Sequence, residues 1–179
     1  LPILVTGATG GVGSVAIMLL SKLGFDVCAL TGKPEANSFL TQLGATSTIL
    51  RSDYLDAPAK PMARPMYAGA VDTVGGSILG KLLSEIAPHG LVSCCGNVGG
   101  MELNTTVFPF ILRGISLCGI DSAESAIEFK KGLWERFSND WKLDLSSSTK
   151  EISKDQLGEE IQKILQGGQQ GRVVLNHKE

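Results

Sequence analysis

Short β-prone runs alternate with helical patterns along this chain, and glycines punctuate most of the joins. Ile3 to Thr6 leads into glycines at 7, 10, 11 and 13. An apolar helical pattern follows from about Gly13 to Leu23, with Val15, Ile17, Met18, Leu19 and Leu20 apolar nearly all round. Gly24 ends it. Phe25 to Leu30 reads as a second strand that Asp26 opens, with Thr31 to Pro34 as the loop beyond its C-terminal end. A second helix, about Glu35 to Leu43, stops at Gly44, and Thr48 to Leu50 is a short third strand with Arg51 at its end. Residues 56–66, with Pro58, Pro61 and Pro65, read as loop. Ala68 to Val74 is a fourth strand, Ser77 to Ile86 a helix, and Leu91 to Cys95 a fifth strand, with Pro88-His89-Gly90 turning between the last two.

Beyond Gly96-Asn97-Val98-Gly99-Gly100 the alternation loosens. Leu103 to Leu112 is mixed, Ile115 to Gly119 looks like a sixth strand, and Ser122 to Phe137 is an amphipathic helix. Residues 146–150 read as a serine-rich linker, Asp155 to Leu165 as a helix and Arg172 to Leu175 as a terminal strand. Alternation at this spacing implies right-handed βαβ units and a parallel sheet. The expected fold is therefore α/β, a doubly wound parallel sheet of the Rossmann kind, over residues 1–145. The elements in 146–179 are expected to belong to a second domain. The chain opens on Leu1-Pro2 almost inside a core strand and without a methionine, so the N-terminal part of that domain is expected to be absent.

Composition narrows the function classes. The chain has 179 residues, 43% hydrophobic and 19% charged, with a net charge of -2. Those values fit a soluble globular protein and give no electrostatic case for nucleic acid or an anionic membrane. With no membrane-length apolar run and no signal peptide, a cytoplasmic location is expected. Cys28, Cys94, Cys95 and Cys118 sit in apolar surroundings without a C-x-x-C pair, and His89 and His177 lie far apart. They are expected to be buried free thiols, with no local zinc site. Asn104-Thr105-Thr106 matches a glycosylation sequon that has no role without a secretory route.

The chemistry begins at Thr6-Gly7-Ala8-Thr9-Gly10-Gly11-Val12-Gly13-Ser14. Strand, glycines and helix in that order form the context of a dinucleotide site. Glycines permit the tight turn and close approach to a pyrophosphate, and the helix start offers unpaired N–H groups and the positive end of its dipole. A glycine-rich turn with no ligand is the plain alternative. A P-loop is excluded, because no Lys-Ser or Lys-Thr follows the glycines.

The second strand indicates which dinucleotide. A site for NAD usually places Asp or Glu there to hold the ribose 2′-hydroxyl. Here the place holds Thr31-Gly32-Lys33, and Arg51 ends the third strand within reach of the same pocket. Each charge-assisted hydrogen bond is worth about 1.5–3 kcal/mol. Two of them give roughly a hundredfold preference for NADPH over NADH. Against this, Lys33 reads as a solvated loop lysine and Arg51 as a surface partner of Asp53. Asp72-Thr73-Val74-Gly75 is placed to wall adenine and ribose, and Gly96-Asn97-Val98-Gly99 to meet the nicotinamide carboxamide. A Tyr-x-x-x-Lys pair is missing, since Tyr54 leads to Pro58 and Tyr67 to Val71. No catalytic acid, base or nucleophile stands out.

With these residues in view, the chain resembles the zinc-independent quinone-oxidoreductase branch of the medium-chain dehydrogenase/reductases, and within it the NADPH-dependent acrylyl-CoA reductases. The resemblance spans nearly all 179 residues. It rests on the glycine loop, Thr31-Gly32-Lys33, Gly69-Ala70-Val71-Asp72-Thr73-Val74-Gly75, Thr105-Thr106-Val107-Phe108-Pro109-Phe110-Ile111-Leu112-Arg113, Gly119-Ile120-Asp121-Ser122 and Gly171-Arg172. It implies NADPH contacts at Thr9, Gly10, Gly11, Val12, Thr31, Gly32, Lys33 and Arg51, and further ones at Asn97, Val98, Leu112 and Arg172. The family usually carries Ser-Gly-Arg at the second of these segments, so Thr31 and Lys33 keep the hydroxyl and the charge but lose arginine's fork.

The implied activity is hydride transfer from NADPH to the β-carbon of an enoyl thioester or enone. The proton would come from solvent or from a group outside this chain. Quinone reduction and non-catalytic NADPH binding are the alternatives. A GroES-like domain is implied to shape the substrate site, so the chain alone is expected to bind nucleotide and turn over poorly. Homodimers are common in the superfamily, though no stretch identifies an interface.

Overall fold

The apolar runs assemble into one parallel sheet. The computed structural model describes residues 1–177. Strands β1 (Ile3–Thr6), β2 (Val27–Thr31), β3 (Ser47–Leu50), β4 (Gly69–Asp72), β5 (Leu91–Cys94) and β6 (Ser116–Gly119) pair in the order β3-β2-β1-β4-β5-β6, every neighbouring pair parallel. All six strands therefore end on one edge, and the strand order reverses between β1 and β4. Doubly wound sheets bind ligands outside that crossing point.

The helices between them are α1 (Gly11–Lys22), α2 (Asn37–Gln42), α3 (Arg51–Asp56), α4 (Gly76–Ser84), α5 (Phe108–Arg113) and α6 (Ile127–Ser138). Successive strand residues point to opposite faces, and both faces are covered. Leu4, Cys28, Leu30 and Val92 pack with Tyr54 of α3 and with Ile78, Leu82 and Leu83 of α4. Val5, Val27 and Ala29 pack on the other side with Ile17 of α1 and Leu40 of α2.

Several elements depart from the sequence reading. α1 is not buried all round: only Gly13, Ser14 and Ile17 are fully covered. β2 begins at Val27, leaving Phe25 half exposed and Asp26 outside the strand. β4 stops at Asp72, short of Val74. Arg51 does not end β3 but starts α3. Within the mixed stretch 103–112, Pro109 in the first turn and Gly114 at φ 59 bound the short helix α5. α6 starts at Ile127 rather than Ser122, because the Asp121 carboxylate accepts the N–H groups of Ala123 and Glu124 at 3.1 Å each and holds a turn there.

Residues 146–150 are not a linker. A 3₁₀ turn over Ser146–Ser148 leads into β7 (Thr149–Ile152), which pairs in parallel with β8 (Arg172–Leu175). The two are joined through a 3₁₀ turn (Lys154–Gln156), opened by a Ser153–Gln156 capping box, that leads into α7 (Leu157–Leu165). This pair forms a sheet separate from the six strands. The last two positions of the 146–179 segment lie outside the described residues. The four cysteines are free, but only Cys28 is buried; Cys94 and Cys118 are partly covered and Cys95 is exposed. No described helix is long and apolar enough to cross a membrane.

Buried polar groups are paired. The Tyr54 hydroxyl donates to Glu85 at 2.7 Å. The Lys81 ammonium donates to the carbonyls of Tyr54 and Ala57 and lies 4.4 Å from the Tyr54 ring centroid. Burial pushes the Glu85 carboxyl above its ordinary pKa, opposed by the Tyr54 hydroxyl and by Lys81. The Arg113 guanidinium, at the end of α5, donates to the carbonyls of Ser84 at 2.9 Å and Ile86 at 2.8 Å, and also to that of Ala63. That pins α5 to the edge where β5 begins.

Candidate functional site

At the C-terminal edge, β1 turns sharply into α1. Gly7 has φ +58, and a Cβ there would come within 2.3 Å of the Thr73 hydroxyl oxygen. Gly13 sits directly on the turn, where a Cβ would stand 2.4 Å from the Gly7 carbonyl oxygen. These two positions let the helix start press against the loop. The N-cap, Gly10, gives no side-chain cap. The first N–H groups of α1 thus keep their capacity for an external acceptor, at the positive end of the helix dipole.

A cation lies over that helix start. A Cβ at Gly11 would meet Arg172 Nε at 1.9 Å, so the arginine rests on bare glycine backbone. Its guanidinium forms no hydrogen bond or ion pair among the described residues. The segment that brings it is tied down, the Gly171 N–H donating to the Thr9 carbonyl at 2.9 Å. Positive charge beside a positive helix end is a poor arrangement alone, and a phosphate between them would satisfy both.

The ends of β2 and β3 supply two more cations. A Cβ at Gly32 would lie 2.8 Å from Arg51 Nη2, so this glycine is what admits the guanidinium. The Thr31 hydroxyl accepts the Lys33 N–H at 3.1 Å, and the Lys33 ammonium donates to the Gln169 carbonyl. Burial lowers the Lys33 pKa, partly opposed by Glu35. Among the described residues the only ion pairs are those of Glu160 with Lys150 and Lys163, so Lys33, Arg51 and Arg172 make no direct ion pair, and Glu35 acts on Lys33 only from a distance.

A buried carboxylate holds the neighbouring strands together. Asp72 is fully buried; it accepts from the Thr6 hydroxyl at 2.7 Å and from the Gly75 N–H at 2.8 Å. Thr6 in turn accepts the Thr73 N–H at 2.9 Å, while the Thr73 hydroxyl donates to the Thr6 carbonyl at 2.8 Å. The backbone and small side chains of Asp72 to Gly75 were expected to wall a ligand, with a plain turn as the alternative; the Asp72 side chain fixes that turn at Gly75, where φ is +72. Through that turn it sets the loop after β5, because Gly99 donates to the Val74 carbonyl at 2.7 Å. Cys94, Cys95, Gly96 and Asn97 line an open cleft of about 560 Å³ with Gly119, Ile120 and Asp121. Burial, then the nearby Asp72 charge, push the Cys94 and Cys95 thiols up, away from the nucleophilic thiolate form.

The structure gathers Thr9, Gly10, Gly11, Val12, Thr31, Gly32, Lys33, Arg51, Asn97, Val98 and Arg172 along this one edge. It does not bring Leu112 there. Leu112 precedes Arg113 at the opposite edge of the sheet, where the Arg113 carbonyl accepts the His89 N–H at 2.7 Å just before β5. Two features escaped the sequence reading. The buried role of Asp72 had a signal, an acid closing an apolar strand just before glycines. The docking of Gln169 and Gly171 on the glycine loop had none. Among the described residues no three His, Cys, Asp or Glu side chains gather where a metal ion could sit.

Known proteins resemble this chain over most of its length. Residues 11–139 match the family described as zinc-binding dehydrogenase. YhfP of Bacillus subtilis (strain 168), whose name places it provisionally among the quinone oxidoreductases, is 46% identical over 175 residues, 97% of this chain and 53% of YhfP. The acrylyl-CoA reductase AcuI of Ruegeria pomeroyi is 40% identical over 176 residues, 98% of this chain and 53% of AcuI. The crystal structure of YhdH from Escherichia coli K-12 with bound NADPH superposes with a TM-score of 0.90 at 38% identity, covering 97% of this chain and 54% of YhdH. That of YhfP with NAD bound gives 0.91 at 45% identity, over 98% and 54% of the two chains. The chain thus spans about half the length of the curated relatives it matches.

Proposed function

Since the chain belongs to the zinc-binding dehydrogenase family, within the medium-chain dehydrogenase/reductases, we propose that it is the NADPH-binding part of an oxidoreductase that reduces an activated C=C bond. The observation that carries this reading is the set of three cations that make no direct ion pair, Lys33, Arg51 and Arg172, spread along the edge where a glycine loop opens α1. Arg172 over the helix start would meet a pyrophosphate, and Lys33 with Arg51, at the ends of β2 and β3, an outlying phosphate. At Gly11 and Gly32 the space that a Cβ would take is filled by the Arg172 and Arg51 side chains, so each cation stands close to the backbone at the phosphate end.

In this reading each residue has a definite task. The N–H groups of Gly11 to Gly13 and the Arg172 guanidinium hold the pyrophosphate. The Thr31 hydroxyl, Lys33 and Arg51 hold a 2′-phosphate, which distinguishes NADPH from NADH. Backbone at Asn97 and Val98 orients the nicotinamide at the end of β5. When bound, the cofactor supplies the hydride. Cys94 and Cys95, kept as neutral thiols, supply neither base nor nucleophile. Despite the family's description, no His, Cys, Asp or Glu side chains among the described residues gather into a set that fits zinc.

The substrate class follows the relatives' names: an enoyl thioester such as acrylyl-CoA, with a quinone as the second reading because YhfP carries that name. Those relatives are about twice as long, so the chain alone is expected to bind nucleotide with little turnover. Protein containing this chain, supplied with NADPH deuterated at both C4 positions and acrylyl-CoA, is expected to give propionyl-CoA with deuterium at the β-carbon. Label-free product, or oxidation of NADPH only with quinone, would refute the C=C assignment.

A further inference from the structure

The segment between α7 and β8 reaches the site from outside the six-stranded sheet, and it touches both of the regions assigned above to phosphate. Residues 169–172 run as a strap held at three points. The Lys33 ammonium donates to the Gln169 carbonyl. The Gly171 N–H donates to the Thr9 carbonyl at 2.9 Å. The Arg172 side chain rests on Gly11. The course of the strap depends on Gly171, which has φ +66 and where a Cβ would stand 2.1 Å from the Ser148 carbonyl oxygen.

Gln169 acts through its main chain. Its carbonyl satisfies one of the three N–H donors of the Lys33 ammonium and leaves two for another acceptor. A long lysine stem loses rotamer entropy whenever its head is fixed. Here part of that cost is met before any ligand arrives. A phosphate is also a stronger partner for an ammonium than a carbonyl is, and it offsets the desolvation that lowers the Lys33 pKa. A nucleotide lacking the 2′-phosphate would leave this tie held by the carbonyl alone.

Resting on the NADPH reading, we propose that the 169–172 strap positions Lys33 for the 2′-phosphate and closes over nucleotides that carry it. Cofactor discrimination then resides in the strap as well as in the cations themselves. Because the strap runs directly into β8, closure on the correct cofactor also steadies the β7–β8 sheet.

Two measurements on the whole chain test this. Amide hydrogen exchange is compared without ligand and at matched occupancy of NADP⁺ and NAD⁺. NADP⁺ is expected to slow exchange across residues 166–172 about tenfold more than NAD⁺ does. Calorimetric titration of Gly171→Ala, which leaves Lys33, Arg51 and Arg172 in the chain, is expected to cut the ratio of NAD⁺ to NADP⁺ dissociation constants about fivefold. Equal protection by both nucleotides overturns the proposal, as does an unchanged ratio in the variant. If Gly171→Ala does not fold, the exchange experiment on the wild type decides alone. Wild-type protein that binds neither nucleotide, or both equally, removes the NADPH reading and the strap with it. Selective NADP⁺ binding over an unprotected strap overturns the strap alone.

Discussion

Asp72→Ala lowers the melting temperature by about 10 °C in scanning calorimetry. The carboxylate is fully buried and accepts from the Thr6 hydroxyl and the Gly75 N–H, with no cation in contact. Its removal leaves both donors without their acceptor, at roughly 1–3 kcal/mol each. The void left by the lost carboxyl adds to this, for a total of about 3–5 kcal/mol. In a chain of this size each kcal/mol moves the midpoint by roughly 2–4 °C. Asp72→Asn keeps one acceptor oxygen in a side chain of the same shape, and about half the loss is expected. A drop below about 3 °C for the alanine variant would mean that this network does not tie β1 to β4.

Gly13→Val weakens nucleotide binding about a hundredfold or more while the chain still folds. The new Cβ would lie 2.4 Å from the Gly7 carbonyl oxygen and 2.9 Å from Ala8 Cα, and both are backbone atoms that cannot rotate aside. The start of α1 must therefore move away from the loop. Overpacking of this kind costs about 1–3 kcal/mol in stability. Binding is hit harder, because the N–H groups at the helix start lose their aim at the pyrophosphate. An affinity loss of about a hundredfold or more is expected for NADPH and NADH alike. Near wild-type affinity in calorimetric titration would show that the helix start is not the phosphate site.

The parts of the fold that were legible in the sequence are those whose signal is local. β1, β2, β5 and β6 are short apolar runs punctuated by glycine, and the glycine loop announces its own turn. Elements that depend on distant partners were misread. Thr149-Lys150-Glu151-Ile152 has little strand character and becomes β7 only by pairing with β8, more than twenty residues later. The late start of α6 follows from one side chain, Asp121, capturing two backbone N–H groups that a helix pattern would otherwise claim. Cys95 looked buried because its neighbours are apolar, yet β5 ends one residue before it and leaves it at the open edge.

The site divides along the same line. Glycine spacing and the cations after β2 and β3 are written in consecutive residues, and the fold carries them to one edge. Leu112 was misplaced because the chain, after leaving β5, runs down over α4 before β6. Asn104, on that path, has its carbonyl 2.4 Å from where a Gly80 Cβ would be. Nearness to a functional segment in sequence therefore did not mean nearness in space. The contact of Gln169 with Lys33 spans 136 residues and uses only main chain on one side, so no residue type could announce it.

The measurement that tests the central claim most directly is a calorimetric titration of this chain with NADPH and, in parallel, with NADH, repeated on Lys33→Glu. Stoichiometric NADPH binding, at least about tenfold tighter than NADH and with that preference lost in the variant, is the predicted result. No heat of binding from either nucleotide, or equal affinities that Lys33→Glu leaves unchanged, would contradict it.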